Sequence, residues 1–393
     1  MKSSQNLKVC SVSPQGDTGM AYYDFCFCQA LAEAGLDITL FTSRRWLFQH
    51  RGKNFRSKEY FFGVHESAEP FVRLANHFLS LWQIFFYVLQ KKIRIIHFQT
   101  LAFPILDLMF LLWFKLWRRK IVYSPHDMAA LKIKAGRELT GNLFDSVDVI
   151  VVHSLANKIL LIKEFDIEHD RIKIIQQGNY TAFLNPGITK VRSREKIGLP
   201  QEKKIVLLFG HLRHDKGITT AIKALRLLKD KNIVLLIAGK PHPEFMLESL
   251  RRDINTPELK DWIILKDEWI DDALAELYYK SADVVLLPYE SCYTSAVLIY
   301  AFSCGASTIV SNIPELTEFV SEGENALIFP AGEAAALAEK IEQLLRNPAL
   351  AEKIAASAKN TADTEWKWEI AANTQKKIYE ELLSGSFIRE MEP

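Results

Sequence analysis

Cysteine, one-sided charge, long apolar runs and the familiar nucleotide-binding signatures are scarce or missing in this chain. Its five cysteines, Cys10, Cys26, Cys28, Cys292 and Cys304, are odd in number, and their spacing matches no common zinc site. Neither a disulfide scaffold nor a zinc fold is indicated, and reduced core-type thiols of a cytosolic protein are expected. The formal net charge is +2, which argues against nucleic acid as a main partner. No D-x-D occurs; the adjacent Asp271 and Asp272 read as a helix N-terminal pair rather than a metal clamp. The opening "MKSSQNLKVCSVS" has no long apolar core, so no secretory signal is expected there. The first loop, "SPQGDTG", is not G-x-G-x-x-G, which disfavours a nicotinamide oxidoreductase.

What the chain does have is hydrophobic content of 49% with 24% charged residues over 393 positions, enough for two domains with separate cores. Short apolar strands alternate with helical patterns: "LKVCSV", "LDITLFT", "IRIIHFQ", "KIVYS", "DVIVVHS" and "IKIIQQG", then "KIVLLFG", "NIVLLIAG", "WIILKD", "DVVLLPY", "STIVS" and "ALIFP". Strands apolar on both faces belong in parallel sheets covered by helices, so the fold class is α/β with two Rossmann-like, doubly wound domains. The expected division is 1–180 for the first domain and 181–203 for a polar, basic linker containing Pro186, Gly187 and Pro200. The second domain would span 204–365, and a terminal helix in 366–393 would reach back to the first. Two such halves facing each other leave a cleft at the carboxyl ends of their strands.

The strand "KIVLLFG" runs into "HLRHDKG" and then a helical pattern. A helix start already favours anions, so Arg213 and Lys216 cost repulsion there unless something negative sits between them. Gly210 and Gly217 bracket the turn, and a diphosphate held by the two side chains and the helix N–H groups is expected. In "CYTSAVLIYAF", Thr294 and Ser295 can cap a helix beginning at Ala296, aiming its N–H groups at a phosphate. A plain turn and a plain cap remain the simpler alternatives.

The order of these features resembles a GT-B glycosyltransferase, most similar to family 4 of the nucleotide-sugar-dependent enzymes, over nearly the whole chain. "SPQGDTGMAYYDFCFCQALAEAGLDITLFT" resembles the family's opening strand, loop, helix and strand, and "FGHLRHDKG" its donor-phosphate turn. "ADVVLLPYESCYTSAVLIYAFSCG" resembles its nucleotide-binding region. The resemblance implies transfer of a sugar from a nucleoside-diphosphate sugar as co-substrate, with no separate cofactor and no metal. Gly210, Arg213, Lys216, Gly217, Glu290, Thr294, Ser295, Ala296 and Tyr300 would hold the nucleotide. His126 and Asp127, closing "YSPHD", and Asp17 in "QGDTG" are the candidates for catalysis or acceptor binding. The family often has two glutamates eight residues apart. Here those positions hold Cys292 and Tyr300, with Glu290 two residues upstream of the first, which marks a divergent branch. A sugar-nucleotide epimerase of the same layout and a non-catalytic partner protein are the alternatives.

Two aromatic stretches, "FLSLWQIFFYVLQKKIR" and "FPILDLMFLLWFKLWRRK", end in basic clusters. The second is too short to span a bilayer, which takes about 20 apolar residues. Either both are buried helices, or they form a face that lies on anionic lipid. The latter would suit a polyprenyl-linked or polysaccharide acceptor of cell-envelope synthesis and a protein peripheral to the inner face of the membrane.

Overall fold

The computed structural model describes residues 7–126, 128–242 and 245–385. The chain divides into two compact units. One holds the described residues up to Gly178 and those from Lys367 onward, and the other is Asn179–Trp366.

In the first unit the described residues form a seven-stranded parallel sheet of β1 (Lys8–Ser13), β2 (Asp37–Ser43), β3 (Arg56–Phe61), β4 (Ile95–Phe98), β5 (Lys120–Tyr123), β6 (Val149–Val152) and β7 (Ile172–Ile174). Their order is β3-β2-β1-β4-β5-β6-β7. Val9 of β1 pairs with Ile38 on one side and Ile95 on the other, so the strand order reverses between β1 and β4. Right-handed crossovers then send the helix Met20–Glu33 to one face, and the helices Pro70–Gln90 and Pro104–Leu116 to the other. The helix Trp368–Ser384 packs on Met20–Glu33, with the Lys376 ammonium donating to the Ala34 carbonyl at 2.7 Å. Trp368 lies edge-on to Tyr23, 5.2 Å between ring centres.

The second unit repeats the plan with β8 (Lys204–Phe209), β9 (Ile233–Ala238), β10 (Ile263–Lys266), β11 (Val284–Leu287), β12 (Thr308–Ser311) and β13 (Leu327–Phe329), in the order β10-β9-β8-β11-β12-β13. Its order reverses between β8 and β11. Val206, Leu208, Leu235, Ile237, Val284, Leu286 and Ile309 fill its core. Strands buried on both faces explain why continuous apolar runs, not alternation, announced them.

The stretch 181–203, expected as a linker, carries the helix Lys190–Ile197, capped by the Thr189 hydroxyl and closed by Gly198 in the left-handed conformation. Its Arg194 is 4% exposed. The guanidinium donates to Asp283 at 2.8 Å and to the carbonyls of Ser281, Gln201 and Lys203. A buried arginine with each of its three nitrogens hydrogen-bonded ties the segment into the second unit.

Candidate active site

Open α/β sheets bind ligands beyond the carboxyl ends of strands where the order reverses. In the second unit that place lies after β8 and β11. The turn after β8 runs through Gly210, Arg213 and a single 3-10 turn, His214–Lys216, into the helix Ile218–Leu228. Gly217 has φ +65°, and a Cβ there would sit 1.8 Å from the Pro288 carbonyl oxygen. Only glycine lets the turn lie this close to the loop after β11. The Glu290 N–H donates to the Asp215 carbonyl at 2.9 Å and stitches the same two segments together. The loop then enters the helix Ala296–Ser303, whose Ser295 hydroxyl accepts from the Leu298 N–H at 3.2 Å. Thr294 has a shielded hydroxyl with no hydrogen-bond partner among the described residues.

Lys216 is 8% exposed, and its ammonium lies 3.6 Å from the centre of the buried Tyr289 ring. No carboxylate pairs with it at ion-pair distance among the described residues. Burial, then the nearby Arg213, lowers its pKa to about 8. A ring face offsets about 2 kcal/mol of such burial, less than the several kcal/mol that desolvating an ammonium costs. His211 is likewise held below the ordinary histidine range by burial, Arg213, Lys216, His242 and Lys240, all cationic or titratable neighbours at this edge. Arg213 is clamped by Asp215 through two hydrogen bonds of 3.0 and 2.7 Å. The repulsion expected at this turn is thus answered in part within the turn itself, by a carboxylate two residues away.

The structure gathers Gly210, Arg213, Lys216, Gly217, Glu290, Thr294, Ser295 and Ala296 at this one edge. Tyr300, one helical turn beyond Ala296, packs its ring against Tyr279 and Tyr180, with centres 4.8 and 6.0 Å away. The Cys292 thiol is pushed up to about 12, mainly by burial, and stays neutral. A cleft at the opposite, amino edge of this sheet is lined by Lys190, Lys280, Asp283 and Glu352. Its Lys190 is paired with Asp283 and its Lys280 with Glu276.

In the first unit the carboxyl edge holds a different chemistry. His126, after β5, faces Gln99, directly after β4, at 3.1 Å, and His153, after β6, at 3.2 Å. The other ring nitrogen of His153 is 2.8 Å from the Ile175 carbonyl. That carbonyl only accepts, so His153 Nδ1 carries a proton and its Nε2 accepts from His126 Nδ1. His126 Nε2 is then an acceptor too. The shielded Gln99 amide nitrogen has no partner among the described residues, and turning that amide over supplies the donor. Burial is the main cause holding His126, His153 and His97 below the ordinary range, His97 at about 3. All three are neutral. Asp127 lies outside the described residues.

Asp17 sits in the loop after β1, and its two oxygens accept from the Val64 and His65 N–H groups at 2.8 and 2.7 Å. It fastens the loop after β3, with each carboxylate oxygen already accepting one backbone N–H. Gly16 is required by packing: a Cβ there would meet the Thr42 hydroxyl at 2.0 Å.

Residues 18–181 match the model of Glycosyltransferase Family 4, and residues 189–361 match that of Glycosyl transferases group 1. A D-inositol 3-phosphate glycosyltransferase of Corynebacterium glutamicum (strain R) is 25% identical over 288 residues, 69% of this chain and 68% of that protein. About a third of that relative thus lies outside the match. The structure of Anabaena HepE in complex with UDP and glucose superposes with a TM-score of 0.76 at 16% identity, over 96% of this chain and 100% of that one. The catalytic domain of starch synthase IV from Arabidopsis thaliana, bound to ADP and acarbose, gives 0.76 at 12% identity, over 96% and 100%. With one family model over most of each unit and the fold shared along the chain, this protein belongs to the GT-B glycosyltransferases of the group 1 and family 4 kind.

Proposed function

We propose that the protein moves a sugar from a nucleoside-diphosphate sugar to a hydroxyl of a lipid-linked or polysaccharide acceptor, with the leaving diphosphate stabilised by side chains and helix N–H groups in place of a metal. The observation that carries this is Lys216, a buried ammonium with no carboxylate partner among the described residues, where the second sheet reverses. Such a group is costly unless an anion completes it. As the sugar–oxygen bond breaks, charge grows on the diphosphate, so Lys216 acts more strongly on the transition state than on the bound donor. Arg213 joins by exchanging Asp215 for a phosphate oxygen. The unpaired N–H groups at Ala296 and beyond, with Thr294, meet the remaining oxygens. Cys292 and Tyr300 supply no carboxylate for the ribose, so the base and ribose are read by other groups. The complexes of HepE with UDP and of the starch synthase with ADP make those two nucleotides the first to try.

His126 is assigned to hold the sugar or the acceptor as a neutral imidazole, fixed by Gln99 and His153. A strongly depressed pKa makes it a weak base, and Asp17 is committed to two amides. Both facts favour a retaining route, which needs no dedicated base.

Phe71 and Leu116, 78% and 72% exposed, lie on the outer side of the helices Pro70–Gln90 and Pro104–Leu116, together with Phe86 and Ile105. The two helices meet through rings: the half-buried Trp82 lies 5.5 Å from Phe110 and 5.9 Å from the partly exposed Trp113. Lys91, Lys92, Arg118 and Arg119 follow the helix ends. Among the described residues no helix is long and apolar enough to cross a membrane. An apolar, aromatic face with a basic rim fits an anionic bilayer surface. This face is assigned to hold the enzyme peripherally on the membrane that carries a lipid-linked acceptor.

A thermal-shift panel of UDP-, GDP-, ADP- and dTDP-sugars tests the donor. One of them at 100 times its dissociation constant adds about 2.7 kcal/mol of stability. No shift with any of them overturns the donor assignment. Turnover surviving EDTA supports the metal-free part, and its loss with recovery on adding magnesium or manganese overturns it. Co-sedimentation with anionic vesicles that weakens as salt rises supports the membrane face, and equal binding to neutral vesicles, or none to either, removes it.

A further inference from the structure

At the amino edge of the first sheet, far along the strands from His126 and Asp17, lies a depression of about 400 Å³. It is lined by Lys8, Asp37, Arg56, Lys58, Tyr87 and Lys91. The parallel register brings these charges together: Lys8 of β1 stands beside Asp37 of β2, and the β2 residues Thr39 and Phe41 stand beside Arg56 and Lys58 of β3. Four cations face one carboxylate. Asp37 takes Arg56, whose Nε also donates to the Thr39 hydroxyl at 3.3 Å. The Lys8 ammonium donates to the Lys91 carbonyl at 3.4 Å, which answers the negative end of the helix Pro70–Gln90. Lys58 lies 5.1 Å from the centre of the Tyr87 ring. Neither Lys58 nor Lys91 is paired with a carboxylate among the described residues. A helix end contributes about half a negative charge, so the walls stay positive after every internal pairing is counted.

The site adjoins the apolar face. Tyr87 lines it, and Phe86, the next residue on the same helix, is exposed with Leu79 on the outer side. We propose that this pocket binds the phosphate of an anionic phospholipid headgroup, with the acyl chains running beside Phe86. The proposal rests on the membrane reading above and goes beyond it: the bilayer would be read by a walled site as well as by diffuse charge. A solvated basic edge would need neither the walls nor the tyrosine floor.

The test uses the full chain and a short-chain phosphatidylglycerol below its micelle concentration, measured by calorimetry. Wild type is expected to bind it saturably. Lys58→Ala with Lys91→Ala should weaken binding by about 30-fold. Lys92→Ala with Arg118→Ala, which removes equal charge outside the pocket, should change it by no more than about twofold. No saturable binding, or equal loss in both double variants, overturns the pocket. Inorganic phosphate binding as tightly as the lipid overturns the lipid assignment in favour of a free-phosphate site. Vesicles of phosphatidylcholine with and without phosphatidylglycerol separate the two levels. Anionic vesicles bound while the soluble lipid is not would remove the pocket and keep the membrane face. Failure of both removes both.

Discussion

The two sheets carry their candidate residues at the same carboxyl edge and equip them in opposite ways. The second unit concentrates positive charge, with Lys216 buried and without a carboxylate partner among the described residues, and Arg213 held by Asp215. The first unit holds three histidines kept neutral below their usual range, and its Asp17 is spent on two backbone amides. A diphosphate carries charge before, during and after transfer, so its site must hold charge permanently. A sugar or an acceptor hydroxyl carries none, so an ion there would be desolvated to no purpose.

The comparison can be broken first at its backbone. Gly217→Ala forces a Cβ into the Pro288 carbonyl at positive φ, and should cost about 3 kcal/mol of stability and remove nucleotide binding. Chemical denaturation with calorimetry checks both. A stable variant that still binds would mean the two segments need not meet.

Replacing His126 by Asn should lower turnover by about 10- to 100-fold while leaving nucleoside-diphosphate affinity unchanged, because it acts on positioning in the other unit. Loss of affinity in step with turnover would erase the division of labour.

The pH profile sharpens the contrast. Free Lys216 gives up its proton near pH 8, and a bound diphosphate holds that proton to higher pH. Between those two values the complex carries one proton more than the free enzyme. The dissociation constant should therefore rise about tenfold per pH unit above about pH 8. The histidines of the first unit should add no titration at or above the ordinary histidine value of about 6.5, since their shifts lie downward. A turnover profile with a limb near pH 6.5 would contradict their neutrality.

Asp215→Asn makes the smallest change. The Arg213–Asp215 pair is partly exposed and so is worth at most about 1 kcal/mol. Releasing the arginine should tighten diphosphate binding by no more than about fivefold, and weaker binding would mean that Asp215 aims the arginine at the ligand instead of competing for it.

The strands of both sheets were legible where they are buried on both faces. β3 was not: "RSKEYF" is a half-exposed edge strand that pairs only with β2, with a register shift beside Ser43, and it lacks the apolar run that marked the others. The phosphate turn was legible because its residues are neighbours in the chain. The partners of His126 were not, since Gln99 and His153 come from two other strands and only the register β4–β5–β6 brings them to it. Asp215 stood in plain sight within "RHDKG", but whether it repels the ligand, clamps Arg213 or both is a matter of geometry. The helix at 190–197 hid behind a polar, proline-flanked composition, and only its packing through Arg194 assigns it to the second unit.

The central claim, that Lys216 is buried as half of a site whose other half is a diphosphate, is tested most directly by calorimetry of Lys216→Ala with UDP or ADP beside a turnover assay. A charge-assisted bond worth about 1.5–3 kcal/mol predicts affinity weakened by about 10- to 100-fold and a larger fall in turnover. The melting temperature should hold or rise, because an unanswered buried charge has been removed. Unchanged affinity and turnover in a stable variant would contradict the claim and leave the turn a turn.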